Sequence, residues 1–220
     1  MAERGADTIL LAGATGLVGS RVLGLAARLG RRVVPVGRTA TGTPGEVVAS
    51  FTALPRLPRA ATAICALGTT RAKAGSDAAF RAVDHDAVLA FATAAQAAGV
   101  KHFILISAMG AKANSPLLYP RTKGEVEAAL AAMNFARLDI LQPGLILGPR
   151  ADRRPVEALL QQLAPVLDMF MVGPLADYGA IPATSIAAAA LVLAGETAPG
   201  VFRHRNSQMI TRAMAINGIG

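Results

Sequence analysis

Tryptophan is absent from this chain of 220 residues, and tyrosine occurs only at Tyr119 and Tyr178. With so few polar aromatics, the placement of each carries information. There is one cysteine, Cys65, so no internal disulfide can form. Its neighbours are apolar, and it reads as a buried, inert thiol rather than a nucleophile. Charged residues make up 16% of the chain, well below the roughly 25% of an average domain. No dense basic run exists. The 22 Lys and Arg are scattered from Arg4 to Arg212, and against 14 acids they leave a net charge of +8. Such a scattered excess attracts anionic ligands such as phosphates, but it is not the footprint of a nucleic-acid or membrane binder, so neither partner is expected. No apolar run is long enough to span a bilayer, since the Ala-rich stretch 181–195 contains Pro182, Thr184 and Ser185. The first seven residues mix charges of both signs ahead of an apolar run that breaks at Gly13, unlike a targeting peptide, and a cytoplasmic location follows by default. His85, His102 and His204 stand far apart with no second ligand at metal-site spacing, so no metal is expected.

What is present is apolar: 53% of the residues are hydrophobic, too many for a disordered chain. The length suits one medium domain over residues 1–220, with no Ser/Gly linker and no internal repeat. Apolar runs of strand length at 8–12, 32–37, 47–51, 61–67, 101–107 and 136–142 alternate with helical patterns at 20–29, 77–98, 123–133, 156–167 and 185–194. The strands are apolar on both faces, as in a parallel sheet covered by helices on each side. The fold class is therefore α/β, a Rossmann-like, doubly wound parallel sheet with small C-terminal elements beside it.

Four motifs carry chemistry. Gly13-Ala14-Thr15-Gly16-Leu17-Val18-Gly19 follows the first strand and opens the first helix. Gly13 permits the tight turn, Gly16 lets backbone N–H groups approach a pyrophosphate, and Gly19 lets the helix pack closely. The helix N-terminus then faces the phosphates. Gly37-Arg38-Thr39 ends the second strand, where an NAD site carries an acid for the ribose 2′-hydroxyl. An arginine with no acid within several residues suits a 2′-phosphate, so NADP(H) is expected over NAD(H). Ser107 closes the KHFILIS strand, and Tyr119 and Lys123 follow at i, i+4 on one helix face. A nearby ammonium favours the phenolate, and Ser107 is placed to hold a carbonyl oxygen. Finally, Pro143, Gly144 and Leu145 break the chain just past a strand end, where backbone would line a nicotinamide.

The segments GATGLVGS, ALGTTRAKAG, KHFILISAMGA, YPRTKGEVE and QPGLILGPR, in this order, resemble an atypical short-chain dehydrogenase/reductase, and most closely the Tat-interacting-protein oxidoreductase family. The resemblance runs from about residue 8 to 155 and, more weakly, through 181–190. It implies a Rossmann-like sheet, an NADP(H) site at Gly13 to Gly19 and Arg38, and a catalytic set of Ser107, Tyr119 and Lys123. It also implies that Leu67, Gly68 and Thr69 lie beside the adenosine and ribose. Two departures stand out. Pro120 directly follows the tyrosine, which fits if the helix starts near Tyr119. Asp84 stands where related enzymes often carry an asparagine.

The leading expectation is an NADP(H)-dependent oxidoreductase working on a carbonyl or alcohol substrate. Tyr119 would donate the proton, Lys123 would depress its pKa and hold the nicotinamide ribose, and Ser107 would orient the carbonyl. Two alternatives stay open. One is an NADPH-binding redox sensor with little turnover, in line with the regulatory roles associated with the family. The other is an epimerase or dehydratase of the sugar-nucleotide type, against which Arg38 argues. A homodimer or a protein partner is also left open. Arg150, Arg153 and Arg154 read as a solvated loop, and Met169, Phe170 and Met171 as pocket lining or core.

Overall fold

The computed structural model describes residues 8–148 and 179–217. The basic loop of Arg150, Arg153 and Arg154, the apolar Met169, Phe170 and Met171, and the helix expected at 156–167 lie outside these residues. The chain runs β1 (Ile9–Ala12), α1 (Leu17–Arg28), β2 (Val33–Gly37), β3 (Val47–Val48), β4 (Thr62–Cys65), α2 (Arg71–Ala74) and α3 (Asp77–Arg81). A π-helical turn (Ala82–Asp86) leads into α4 (Ala87–Ala97), followed by β5 (His102–Ile106), α5 (Leu118–Ala132), β6 (Arg137–Leu141) and β7 (Leu145–Leu147). After the undescribed stretch come β8 (Ala180–Pro182), α6 (Ala183–Leu193), β9 (Gly200–His204) and α7 (Asn206–Asn217).

Seven strands form one sheet in the order β3-β2-β1-β4-β5-β6-β9, with every neighbouring pair parallel. The strand order reverses between β1 and β4, where Ala12 pairs with Cys65. In an open α/β sheet, ligands bind beyond the carboxyl ends of the strands at such a reversal. β7 and β8 make a separate two-stranded parallel sheet, with β7 formed directly after the break at Pro143 and Gly144.

The strands β1, β4, β5 and β6 are buried at every position; β1, β4 and β5 are mainly apolar, whereas β6, RLDIL, also buries Arg137 and Asp139. Alternate side chains feed two cores. Ile9, Leu11, Ile64 and Ile104 meet α1, α6 and α7 on one face. Leu10, Ala63, Phe103 and Ile140 meet α4 and α5 on the other. Cys65 lies in the second core, where burial pushes its thiol up to about 12, in keeping with an inert side chain.

In the C-terminal part, α6 matches the helix expected at 185–194, whereas β9 and α7 were not expected. β9 is an edge strand of mixed polarity, GVFRH, and α7 buries Met209 and Ala213. Its join to β6 is charged. Asp139, fully buried, accepts from His102 Nε2 at 2.7 Å, from His204 Nε2 at 2.6 Å and from Arg137 Nε at 2.6 Å. Arg137 also donates to Ala198 O at 2.8 Å and lies over the Phe202 ring at 4.3 Å. The two histidines that stand isolated in sequence are thus gathered by one carboxylate across β5, β6 and β9.

Helix α5 begins at Leu118, one residue before the expected start. Pro120 is its third residue, where backbone N–H groups have no intrahelical partner, so the proline removes no bond.

Candidate active site

A cavity of about 540 Å³ opens beyond the carboxyl ends of β1, β4 and β5. The turn after β1 forms one wall through Thr15, Gly16, Leu17 and Val18. Its shape depends on two glycines. Gly13 has φ +82°, and a Cβ there would lie 2.5 Å from Ala66 O. A Cβ on Gly19 would lie 2.1 Å from Gly13 O and 3.0 Å from Ala14 Cα. Gly19 therefore serves the turn itself rather than only the packing of helix on sheet. Gly19→Ala is expected to lose about 1–3 kcal/mol of stability through overpacking; an unchanged unfolding temperature would show that the turn can move at no cost. Gly16 caps α1 without a side-chain hydrogen bond, and the first turn holds no acid. That helix end is a bare donor site suited to an anion.

The loop after β4 forms the second wall through Leu67, Gly68 and Thr69. Thr15 and Leu67 also border a smaller recess of about 100 Å³, which Gly13, Ala14, Gly37, Arg38 and Thr39 help to line. No acid lies within several residues of Arg38 in the chain, but Glu46, eight positions on, reaches the same recess from across the loop. Its carboxylate is committed to that loop, accepting from Thr41 N at 2.6 Å, Thr41 Oγ1 at 2.7 Å and Gly42 N at 3.1 Å. The backbone bond from Thr41, foremost among these, holds Glu46 below the usual carboxylate range.

Ser107, Tyr119 and Lys123 all line the larger cavity, but their partners differ from the expected ones. Ser107 Oγ donates to Glu127 Oε1 at 2.6 Å, so its proton is not aimed at the cavity. Glu127 lies four residues past Lys123 on α5, is 4% exposed, and also accepts from Gln142 Nε2 at 3.0 Å. Lys123 Nζ sits 2.7 Å from Asp84 Oδ1. Tyr119 is 45% exposed at the rim, its ring 5.9 Å from that of Phe80. Its phenol pKa is raised, not depressed. Loss of hydration is the largest cause; Lys123 pulls the value down while Asp84 pushes it up. Burial of the phenol outweighs the lowering expected from Lys123, and Asp84 opposes that lowering as well.

Pro143, Gly144 and Leu145 do not line this cavity; Ile146 does. Pro143 O accepts from Met109 N at 2.9 Å, and Gly144 N donates to Asn206 Oδ1 at 3.1 Å, which turns that loop towards α7. Arg21, Thr70 and Lys73 line the cavity without having been singled out in sequence. Glu127 was discoverable, since positions 119, 123 and 127 share one helical stripe. Glu46 was not, because a loop closure intervenes. Among the described residues no group of three or more His, Cys, Asp or Glu is arranged to hold a metal ion, and no helix is long and apolar enough to cross a membrane.

The HIM1 family model matches residues 39–171, more than half of the chain. Protein HTATIP2 of Rattus norvegicus is 37% identical over 150 residues, 66% of this chain and 62% of its own. The mitochondrial protein fmp52 of Aspergillus fumigatus is 37% identical over 213 residues, 87% of this chain and 91% of its own. The match to fmp52 of Emericella nidulans, at 48% identity, covers 45% of that protein, so the chain spans less than two thirds of this relative and of HTATIP2. Among solved structures, the human epimerase family protein SDR39U1 with NADPH aligns at a TM-score of 0.65 and 16% identity, covering 96% of this chain and 80% of its own; at that identity the likeness is one of fold. The default cytoplasmic location is overturned by the fungal relatives, which are named as mitochondrial proteins. It rested on the lack of a leader pattern, and such a lack carries no address. With its parallel seven-stranded sheet, its glycine turn at the strand reversal and these relatives, the chain belongs to the HIM1 family, as an atypical short-chain dehydrogenase/reductase similar to HTATIP2.

Proposed function

We propose that this protein is an NADP(H)-dependent oxidoreductase acting on a carbonyl compound or the corresponding alcohol. One observation carries the reading: the bare N-terminus of α1, Ser107, Tyr119 and Lys123 line a single cavity at the strand reversal. The cavity fits a dinucleotide. A Cβ at Gly16 would come within 3.2 Å of Gly13 O but meets no side chain, which leaves the turn's outer face open to a phosphate. The recess at Arg38 adjoins the cavity through the shared wall residues Thr15 and Leu67, which supports an adenosine there.

In this reading the backbone from Gly13 to Val18 holds the pyrophosphate, Leu67, Gly68 and Thr69 border the adenosine and ribose, and Arg38 grips a 2′-phosphate. When bound, the nicotinamide supplies or accepts the hydride. Tyr119 donates its phenol proton to the forming alkoxide oxygen in reduction and recovers it in oxidation. Lys123 holds the nicotinamide ribose and is the cation whose charge acts on Tyr119. Ser107 orients the carbonyl, which requires its hydroxyl to turn away from Glu127 Oε1.

A second reading has its own support. Lys123 is tied to Asp84 and Ser107 to Glu127, so the groups meant to serve the tyrosine and the carbonyl are already engaged. That arrangement favours an NADPH-binding sensor with slow turnover.

Thermal unfolding with and without nucleotide tests the cofactor assignment. A ligand at about 100 times its Kd adds about 2.7 kcal/mol, a rise of about 5–10 °C for a chain of this size. The rise is expected with NADPH and not with NADH, and Arg38→Ala is expected to erase the difference. A larger rise with NADH would transfer support to the epimerase-type alternative. No rise with either, in protein free of bound nucleotide, would remove the proposal.

A further inference from the structure

We propose that Asp84 is a positioning residue: its two oxygens fasten Lys123 to the backbone of the loop after β4, and in doing so take the ammonium charge away from Tyr119. Asp84 is 1% exposed. Its Oδ2 accepts from Thr69 N at 2.7 Å, and its Oδ1 lies 2.7 Å from Lys123 Nζ. The second contact is an ion pair without the angle of a hydrogen bond, and Oδ1 has no hydrogen-bond partner of its own. The carboxylate is brought inward by the π-helical turn between α3 and α4, an insertion that proteins tend to keep at functional sites. Gly68 lies over the pair, with the position of an absent Cβ 3.5 Å from Asp84 Oδ1 and 3.8 Å from Lys123 Nζ. Three segments meet at one charge pair: the loop that walls the cavity, the helix that carries Tyr119, and the π turn.

The consequence is electrostatic. An unpaired ammonium in a partly buried site stabilises a neighbouring phenolate, whereas one already neutralised does so far less. The other charged groups lining the cavity that Tyr119 and Lys123 share, among the described residues, are Arg21 on α1 and Lys73 on α2, while Glu127 further along α5 holds Ser107 and Gln142. Phe80 on α3 adds an apolar wall against the Tyr119 ring. In this set only Asp84 contacts Lys123 within ion-pair distance among the described residues. An asparagine at this position could still accept from Thr69 N but would take away the carboxylate that neutralises Lys123.

The inference rests on the proposed function only in treating Tyr119 as the proton carrier; the charge pair acts on the phenol whether or not the protein turns over substrate. The chain's lack of tryptophan and its two tyrosines allow a direct test. In a Tyr178→Phe background, tyrosinate absorbance reports Tyr119 alone. The parent is expected to keep its phenol proton beyond the ordinary tyrosine range, and Asp84→Asn to ionise lower by on the order of one pH unit. Lys123→Met added to Asp84→Asn is expected to cancel that drop, which a merely structural role for Asp84 would not produce. A folded Asp84→Asn protein with an unmoved midpoint, or a drop that persists without Lys123, would overturn the proposal. Asp84→Ser serves as a second variant with the same expectations should the asparagine protein not fold. A drop seen in a protein that reduces no carbonyl would leave the charge pair standing and the oxidoreductase reading fallen.

Discussion

Tyr119→Phe is expected to lower kcat for carbonyl reduction by about 10²–10⁴, the usual share of a positioned general acid, while leaving the NADPH-induced rise in unfolding temperature intact. The substitution removes one oxygen and keeps the ring that packs at 5.9 Å from Phe80. Because the residue is 45% exposed, the stability change should stay within about 0.5 kcal/mol. Turnover and binding are thereby separated. A parent that turns over and a variant that does not, with equal nucleotide binding, would support the proton-donor role. Equal turnover in both would remove it. A parent that binds NADPH but turns nothing over would favour the sensor reading. The raised phenol pKa also sets the sign of the pH dependence. Reduction uses the protonated phenol, which is retained at and above the ordinary tyrosine value, so no loss from this group is expected near neutrality. Oxidation needs the phenolate, so its rate should keep climbing as pH rises past that ordinary value.

Asp139→Asn is expected to cost about 3–5 kcal/mol, the penalty for leaving a buried cation without its carboxylate. For a chain of this length that is a fall in unfolding temperature on the order of 10 °C. The carboxylate is the meeting point of His102, His204 and Arg137, all at most 7% exposed. It therefore joins β9 to β6 and β5, and removing it loosens the edge strand that leads into α7. The pH dependence follows from the direction of the shift. Burial by itself would raise the Asp139 pKa, but the hydrogen bonds from His102, His204 and Arg137 more than offset it and hold the carboxyl well below its usual range. A lowered folded-state pKa gives stability that is present above the ordinary carboxylate value and lost as pH falls through the folded value. The gap in unfolding temperature between parent and variant should thus be full at neutral pH and narrow in strong acid. Thermal unfolding at both pH values measures it; a gap under about 1 kcal/mol at neutral pH would show that the cluster is dispensable.

The parts of the fold that were legible in sequence are those built from contiguous residues. The run into Gly13, the turn to Gly19 and the helix that follows are one local unit, and their order fixes what each glycine must do. The apolar runs at β1, β4 and β5 announce a parallel sheet because strands buried on both faces need not alternate. The helical spacing of Tyr119, Lys123 and Glu127 is likewise local. Short-range geometry is dictated by backbone sterics and periodicity, which the residues carry with them.

The pairings that decide the chemistry were not local. Asp84 meets Lys123 across a π-helical turn that shifts the register of its helix. Ser107 meets Glu127 because β5 delivers the hydroxyl to a face of α5 whose rotation depends on packing. His102 and His204 meet on Asp139 only once β9 has been laid beside β6. Glu46 reaches the Arg38 recess only after its loop closes on Thr41. By itself the sequence determined the class of fold, the strand–turn–helix at the sheet reversal and the candidate residues Ser107, Tyr119 and Lys123. The tertiary structure alone decided which charge each of those residues faces. Electrostatic partners depend on distances of a few ångströms between segments remote in the chain, and those distances are set by packing and strand register, not by spacing along the sequence.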